Sequence, residues 1–302
     1  MKNYEQLKGM VAATFTPMNE DGSLNLGVIE RYADYIAAEE IPGVFVCGTT
    51  GESLSLTVNE RKEVLEKWIE SAKGRFKVIA HVGCNSQLEA IELAKHAMLS
   101  GAYAIGAMAP SFFKPASVTD LVEFFAPIAA GAAELPFYYY NMPSMTGVSL
   151  PVAQFLIEGK KRMPNLVGVK FTHNNLMEMG ECLSLENGAF EVLHGYDEIL
   201  IAGLAFGAVA GVGSTYNYIP QVYKGIFAAM ENNDLSAARR LQKVSIDVVN
   251  IIIKYGGGIR GGKAIMKLIG VDCGPCRLPI HPFSDDEYAS LKQDLINVGI
   301  LK

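Results

Sequence analysis

The stretch at residues 77–101, KVIAHVGCNSQLEAIELAKHAMLSG, contains the repeating unit that decides the fold. Its first part, Lys77–Val82, is short and mostly apolar, as parallel strands are when helices cover the sheet. Ser86 and Glu89 then have the capping-box spacing of a helix N-terminus. Gly101 stands where a helix needs a residue with positive φ just after its last turn. The stretch therefore predicts one β-strand followed by one α-helix.

The same signals at helix ends occur elsewhere in the chain. Thr57 and Glu60 have the capping-box spacing, and Ser117 and Asp120 approach it less perfectly. Gly131 stands after a third helical pattern, where it is expected to end the helix as Gly101 does.

Strand-like and helix-like segments alternate eight times along the chain. The predicted strands are Met10–Phe15, Gly43–Cys47, Lys77–Val82, Ala104–Ala109, Phe137–Asn141, Val167–Phe171, Glu191–His194 and Ala208–Val212. Eight such units favour a closed (β/α)8 barrel of the TIM-barrel type, and an open doubly wound sheet is the alternative. Helical stripes continue beyond the eighth unit. We therefore predict an α/β barrel with the active site at residues 1–232 and a C-terminal helical extension packed on it at residues 233–302.

Composition and charge narrow the class of function. The chain has 302 residues, of which 50% are hydrophobic, and a net charge of −6. The length suits one barrel of about 250 residues with additional helices. The acidic balance disfavours a nucleic-acid partner, because such partners normally require a basic patch.

Three features of the sequence bear on the cellular compartment of the protein. The segment Ile199–Tyr223 has no charged residue and is long enough to cross a bilayer, but its polar residues and glycines favour a buried helix and strand. The N-terminal residues lack the apolar core of a signal peptide. The five cysteines are odd in number and widely spaced, unlike a disulfide framework. We therefore expect a cytoplasmic protein with no membrane partner.

Two short motifs are set aside. Cys273 and Cys276 form a Cys-x-x-Cys pattern, but no thioredoxin-like unit surrounds it and no second Cys/His pair stands at zinc-ligand spacing. The segment Gly257–Lys263 has the Gly-x4-Gly-Lys spacing of a phosphate-binding loop, but Ala264 replaces the hydroxyl residue that would bind magnesium. The sequence thus predicts no metal site.

Lys170 is the unusual residue at the predicted strand ends, where barrels of this type carry their functional groups. It follows the apolar run Leu166–Val169, so it should lie inside the barrel or at its rim. A lysine there either snorkels to solvent or pairs with a carboxylate, or it is desolvated. Desolvation favours the free amine, which can attack a carbonyl. Tyr140 ends the neighbouring predicted strand and could transfer protons, although tyrosines in strands are also ordinary core residues.

A short turn, Gly48-Thr49-Thr50-Gly51, follows the second predicted strand. Its backbone N–H groups and the hydroxyls of Thr49 and Thr50 suit a carboxylate or a phosphate, and a simple turn is the alternative. Glu52 is expected to cap the segment that follows.

Several motifs in one order carry a resemblance to a known family. They are Thr14-Phe15-Thr16-Pro17, the Gly-Thr-Thr-Gly-Glu turn at 48–52, Tyr140-Asn141-x-Pro143, Gly168-x-Lys170 and Gly262-Lys263-Ala264-Ile265-Met266-Lys267. Together they resemble the superfamily of class I aldolases that contains N-acetylneuraminate lyase and dihydrodipicolinate synthase. The resemblance implies that Lys170 forms the Schiff base, that Tyr140 transfers protons, and that Thr49 and Thr50 hold the carboxylate of pyruvate.

The branch of the superfamily is predicted from three positions. The synthases are expected to have an arginine for a second carboxylate where this chain has Met145, and a tyrosine from a neighbouring subunit where residues 110–115 have none. The sequence Gly195-Tyr196-Asp197-Glu198 resembles the sialic acid lyases, in which the two acids bind the polyhydroxylated tail of the sugar. Such carboxylates are strong acceptors for hydroxyl donors. The alternative is that they complement a helix dipole.

The resemblance implies a small-molecule reaction, the reversible cleavage of the sialic acid N-acetylneuraminate to pyruvate and N-acetylmannosamine. Thr172, Gly195 and Ser214 would be further contacts to the sugar, no cofactor would be needed, and a homotetramer is expected. The alternatives are another pyruvate-dependent aldolase of the superfamily, such as a 2-keto-3-deoxy sugar acid aldolase or a dihydrodipicolinate synthase, and a non-catalytic barrel that binds 2-oxo acids.

Overall fold

Eight parallel strands close into a barrel in the computed structural model, which describes residues 4–301. The strands are β1 Gly9–Ala13, β2 Gly43–Val46, β3 Lys77–His81, β4 Ala104–Met108, β5 Phe137–Asn141, β6 Leu166–Phe171, β7 Glu191–His194 and β8 Ala210–Gly213. Each pairs with the next along the chain, and β8 pairs with β1. The eight predicted strands and the closed barrel are confirmed, and the open sheet is wrong.

Helices surround this barrel and continue after its last strand. They are α1 Gly27–Ala38, α2 Val58–Ala72, α3 Gln87–Ser100, α4 Val118–Gly131, α5 Pro143–Thr146, α6 Val152–Arg162, α7 Leu176–Ser184, α8 Leu200–Ala205, α9 Pro220–Glu231, α10 Leu235–Lys254, α11 Gly258–Leu268 and α12 Asp285–Asn297. The uncharged segment at 199–223 folds as α8, β8 and the start of α9, as expected. Between residues 4 and 301 no helix combines the length and the apolarity needed to cross a bilayer.

The predicted helix ends are mostly present. Capping boxes are complete at Thr57 and Ser117, and the Ser86 hydroxyl accepts the N–H of Glu89. Gly101 has φ of +86° and ends α3 as predicted. The prediction for Gly131 is wrong, because this residue is the last of α4 rather than the residue after it. A Cβ at this position would lie 3.3 Å from the carbonyl oxygen of Ile91 in α3, so the glycine allows the two helices to pack closely.

The core has two layers, which explains why the strands are apolar on both faces. On β5, Tyr138 and Tyr140 belong to a cluster inside the barrel to which all eight strands contribute. Phe137 and Tyr139 belong to the larger cluster between the strands and the helices. Tyr140 lies directly beside Lys170 in the register of β5 and β6. The alternation thus brings both predicted catalytic side chains to the same end of the barrel.

The helices after the barrel include one with polar residues on its buried face. α10 buries Gln242 and Ser245 together with Ala238, Val248 and Ile252. A buried polar side chain without a hydrogen-bond partner lowers the stability of the fold. The partners of Gln242 and Ser245 therefore show what this face of α10 holds in place. The boundary between residues 232 and 233 stays a prediction; α9 ends at Glu231 and α10 begins at Leu235.

We expect Gly168→Ala to destabilise the barrel. A Cβ at Gly168 in β6 would lie 2.0 Å from the carbonyl oxygen of Glu191 in β7, so the two strands would have to move apart. Overpacking of this kind costs about 1–3 kcal/mol or more. The melting temperature measures the effect, with Gly27→Ala as the control, because the nearest atom to a Cβ there is 3.7 Å away. Equal melting temperatures for the two variants would contradict the steric account.

Candidate active site

An open cavity of about 480 Å³ lies at the carboxyl ends of the strands. All nine residues predicted from the sequence line it: Thr49, Thr50, Tyr140, Lys170, Thr172, Gly195, Asp197, Glu198 and Ser214. The structure thus brings together residues from five strand–loop junctions. It also adds a wall that the sequence analysis did not predict, formed by residues 256–259 and by Val249, Ile252, Ile253 and Ile280.

Lys170 is buried in this cavity and has no carboxylate within ion-pair distance in the described chain. Only 4% of the residue is exposed, and it makes no hydrogen bond or ion pair with any of residues 4–301. Its Nζ lies 4.0 Å from the ring centroid of Tyr140 and 4.4 Å from that of Phe45. The structure therefore excludes the snorkelling lysine and the carboxylate-paired lysine. A buried lysine that is not paired with a carboxylate is the arrangement that suits a nucleophilic amine.

Tyr140 and Thr49 form a hydroxyl pair above this lysine. The Tyr140 hydroxyl lies 3.1 Å from Thr49 Oγ1. It also donates to the thioether of Met142 at 2.9 Å, and Thr49 Oγ1 lies 3.6 Å from the same sulfur. Met142 lines the cavity and was not predicted from the sequence, because a methionine at a strand end has no polar signature. The pair gives Tyr140 a neighbour with which it can exchange a proton.

The Gly-Thr-Thr-Gly turn is tightly fitted against its neighbours. A Cβ at Gly48 would lie 2.8 Å from the ring of Phe45, and one at Gly51 would lie 3.1 Å from the Thr14 carbonyl oxygen. Thr16 Oγ1 donates to the Gly51 carbonyl at 2.7 Å. Because glycine is required at both ends, the two threonines between them are held at the mouth of the cavity.

Glu52 has a different role from the expected helix cap. Its side chain makes no capping hydrogen bond to the turn that follows. It is buried and forms an ion pair with Lys263 Nζ at 2.7 Å, and it also accepts the N–H of Arg277 at 2.8 Å. Lys263, the last residue of the phosphate-loop-like segment, thus anchors the turn to α11. The prediction of a cap is wrong because the partners lie more than 200 positions away in the sequence.

Asp197 is buried with one oxygen bound and one oxygen free. Its Oδ2 accepts the N–H of Thr215 at 2.9 Å and the hydroxyl of Thr215 at 2.6 Å. Its Oδ1 has no hydrogen-bond partner within residues 4–301. Burial raises the pKa of Asp197 to about 6. Asp197 and Glu198 both lie in the first turn of the short helical turn Asp197–Ile199, which is the position that the helix-dipole alternative expects.

Two glycines make room for polar side-chain atoms of Asp197 and Thr172. A Cβ at Gly213 would lie 1.8 Å from Asp197 Oδ1, and a Cβ at Gly195 would lie 2.0 Å from Thr172 Oγ1. The Thr172 hydroxyl is buried and has no partner in the described chain. Buried polar atoms are almost always paired. Thr172 and Asp197 both line the cavity, so a ligand bound there is a candidate partner for these two atoms.

Comparisons with known proteins show the family to which the chain belongs. Residues 6–298 match the dihydrodipicolinate synthetase family. The chain belongs to this family. It is 42% identical to the N-acetylneuraminate lyase of Gallus gallus over 298 residues, which are 97% of this chain and 97% of that protein.

Solved structures of this family have the same fold. The N-acetylneuraminate lyase of Proteus mirabilis has a TM-score of 0.95 at 36% identity, with 98% of this chain and 100% of that chain covered. A catalytic-lysine mutant of the sialic acid aldolase of Ruminococcus gnavus has a TM-score of 0.92 at 26% identity, with 99% and 98% covered. The predicted family and barrel fold are confirmed.

In this member of the family, the cavity has few positive charges. Met145, at the position where the family's synthases are expected to have an arginine, lies at the cavity with 61% of its surface exposed. Among the described residues that line the cavity, Lys170 is the one lysine or arginine. A second carboxylate on a substrate would therefore find no guanidinium to bind, whereas Asp197 and Glu198 offer acceptors.

We expect Asp197→Asn to remove a pH dependence of stability. An unfolded aspartate is ionised above its ordinary pKa of 3.8, whereas the folded residue keeps its proton up to a pKa of about 6. Folding therefore takes up a proton between these values, and wild-type stability falls as pH rises through this window. Each pKa unit is about 1.4 kcal/mol. Urea denaturation should show that the variant gains on the order of 1 kcal/mol relative to the wild type between pH 5 and pH 7. A stability difference between the variant and the wild type that does not change with pH would contradict the raised pKa of Asp197.

Proposed function

We propose that this protein is a Schiff-base lyase that reversibly cleaves N-acetylneuraminate to pyruvate and N-acetylmannosamine. The observation that carries the proposal is a buried lysine, without a hydrogen bond or ion pair in the described chain, that shares one cavity with the acids Asp197 and Glu198. Relatives and solved structures with this activity in their names, at 36–42% identity over nearly the whole chain, support it.

In the first step, the Lys170 amine attacks the C2 ketone of the open-chain sugar acid. Loss of water leaves an iminium ion, which accepts electrons from the neighbouring bonds. The carboxylate next to C2 would bind the turn that contains Thr49 and Thr50, through hydroxyls and backbone N–H groups. The lysine thereby supplies the electron sink that a cofactor supplies in other enzymes, so we expect no cofactor and no metal.

In the second step, the C3–C4 bond breaks. The C4 hydroxyl gives up its proton through Tyr140, assisted by the substrate carboxylate or by Thr172, and C4 becomes the aldehyde of N-acetylmannosamine. The bonding electrons move to the iminium and form an enamine. A proton then returns to C3, and water hydrolyses the imine to release pyruvate and the free amine. The hydroxyl pair of Tyr140 and Thr49 is suitably placed for these proton transfers.

The other wall of the cavity would bind the sugar tail. Asp197 Oδ1 and Thr172 Oγ1 are buried and unpaired within the described chain. Glu198, Gly195 and Ser214 also line this part of the cavity. Hydroxyl groups of a polyol satisfy such acceptors, and a second carboxylate on the substrate would not. This is the reason to prefer a sugar acid over the substrate of a dihydrodipicolinate synthase.

The assembly and the compartment stay predictions. We expect a homotetramer, which light scattering of the purified protein would measure. The five cysteines are all unpaired, in agreement with the reducing compartment that a cytoplasmic location implies.

We expect borohydride to trap pyruvate on Lys170. Reduction of the imine converts it to a stable secondary amine, so peptide mass mapping should find the adduct on this residue. Lys170→Ala should show no adduct and no cleavage. Cleavage of N-acetylneuraminate by wild-type protein that borohydride and pyruvate leave unmodified would exclude the Schiff-base mechanism. A trapped imine without any turnover would instead favour the non-catalytic binding barrel.

We expect Tyr140→Phe to separate imine formation from turnover. The variant keeps the aromatic ring beside Lys170 and loses only the hydroxyl, so pyruvate should still be trapped. General acid–base catalysis contributes about 10²–10⁴-fold, and kcat should fall by a factor in this range. Steady-state release of pyruvate measures the effect. A kcat equal to that of the wild type would remove the proposed role of the tyrosine.

A further inference from the structure

A buried chain of hydroxyl groups joins α10 to the carboxylate of Asp197. Ser245 Oγ in α10 lies 2.7 Å from the Tyr223 hydroxyl in α9. The Tyr223 hydroxyl lies 2.5 Å from Thr215 Oγ1, which lies 2.6 Å from Asp197 Oδ2. All four residues are buried. This chain of hydroxyl groups therefore runs from the buried face of α10 to Asp197 in the wall of the cavity.

Each hydroxyl has a single proton to donate, so the hydrogen bonds of this chain of hydroxyl groups all run in one direction when Asp197 is ionised. The Thr215 hydroxyl donates to the carboxylate, so it must accept from Tyr223. Tyr223 then donates to Thr215 and accepts from Ser245, whose hydroxyl also lies 3.3 Å from the backbone carbonyl oxygen of Asp197. Every donor points toward Asp197 Oδ2, which the N–H of Thr215 also contacts. Two donors on Oδ2 fix the plane of the carboxylate and leave Oδ1 for a ligand.

A second contact from α10 holds the backbone of the same residue. Gln242 Nε2 donates to the Asp197 carbonyl oxygen at 2.9 Å, and Gln242 Oε1 accepts the N–H of Ile201 at 3.0 Å. Gln242 and Ser245 are three residues apart and so lie on one face of α10. The buried polar groups of α10 thus hold Asp197 at both its backbone and its side chain.

We propose that α10 determines how tightly the sugar tail binds, by positioning the carboxylate of Asp197 through Gln242, Ser245 and Tyr223. The inference rests on the proposed function, because it assigns the free oxygen of Asp197 to a hydroxyl of the sugar. None of the three residues lines the cavity. They are positioning residues, and the reaction at Lys170 does not depend on them.

The test compares one substrate that has the tail with one that lacks it. In Tyr223→Phe, Thr215 loses the donor that orients its hydroxyl. A hydrogen bond contributes about 1 kcal/mol net and those to charged groups more, so KM for N-acetylneuraminate should rise about five- to tenfold. The kcat should stay within about twofold of the wild type. Pyruvate has no tail, so the pyruvate concentration for half-maximal trapping by borohydride should not change.

Tyr216→Phe is the matched control. Tyr216 is as buried as Tyr223, its ring centroid lies 4.5 Å from that of Tyr223, and its hydroxyl has no hydrogen-bond partner within residues 4–301. Removing this hydroxyl alters the same packing layer and leaves the chain of hydroxyl groups intact. The KM for N-acetylneuraminate and the pyruvate concentration for half-maximal trapping should therefore equal those of the wild type. If Tyr223→Phe does not fold, Ser245→Ala removes the far end of the chain and should raise the same KM about two- to threefold.

The outcomes separate this proposal from the proposed function. A wild-type protein that does not cleave N-acetylneuraminate refutes the function before any variant is made. A wild type that cleaves it, with a KM in the folded variant equal to that of Tyr216→Phe, refutes the positioning role alone. An equal loss of pyruvate trapping and of sugar affinity also refutes the positioning role, because the substitution then affects the Lys170 side of the cavity as well.

Discussion

The hydrogen bonds between β8 and β1 are the constraint on which the rest of this molecule depends. Gly9–Ala12 of β1 pair with Ala210–Gly213 of β8, so the parallel sheet has no edge and all eight carboxyl ends meet around one mouth. Thr49, Tyr140, Lys170 and Asp197 are far apart in the sequence and close in space for this reason. A sheet that stayed open would separate the turn after β2 from the loop after β8.

Three polar groups at this mouth lack a partner in the described chain. The hydroxyl of Thr172 and the Oδ1 of Asp197 are buried and make no hydrogen bond within the described chain. Lys170, of which 4% is exposed, also makes no hydrogen bond or ion pair there. An unsatisfied buried group costs about 1–3 kcal/mol. The rigid barrel tolerates this cost because the strands beneath these groups are held by ladder hydrogen bonds on both sides. A substrate with a ketone and several hydroxyls would relieve it.

The helices after the barrel belong to the site as well as to the core. Lys263 of α11 pairs with Glu52 behind the Gly-Thr-Thr-Gly turn, and Gln242 of α10 holds the backbone of Asp197. The two sides of the cavity, one assigned to the carboxylate and the other to the sugar tail, are thus each connected to a different C-terminal helix. Residues 256–259 then complete the wall between them.

The strands, most helix ends and nine of the residues that line the cavity were predictable from the sequence. Apolar runs, capping boxes and strand-end positions are local patterns, and the closed barrel converts strand-end positions into neighbours. Four contacts became visible once the chain was folded: Glu52 with Lys263, Thr215 with Asp197, Met142 with Tyr140, and α4 with α3 at Gly131. These contacts depend on the angles and distances between packed elements. The residue pattern of one segment does not predict most of them, because their two partners lie in different segments.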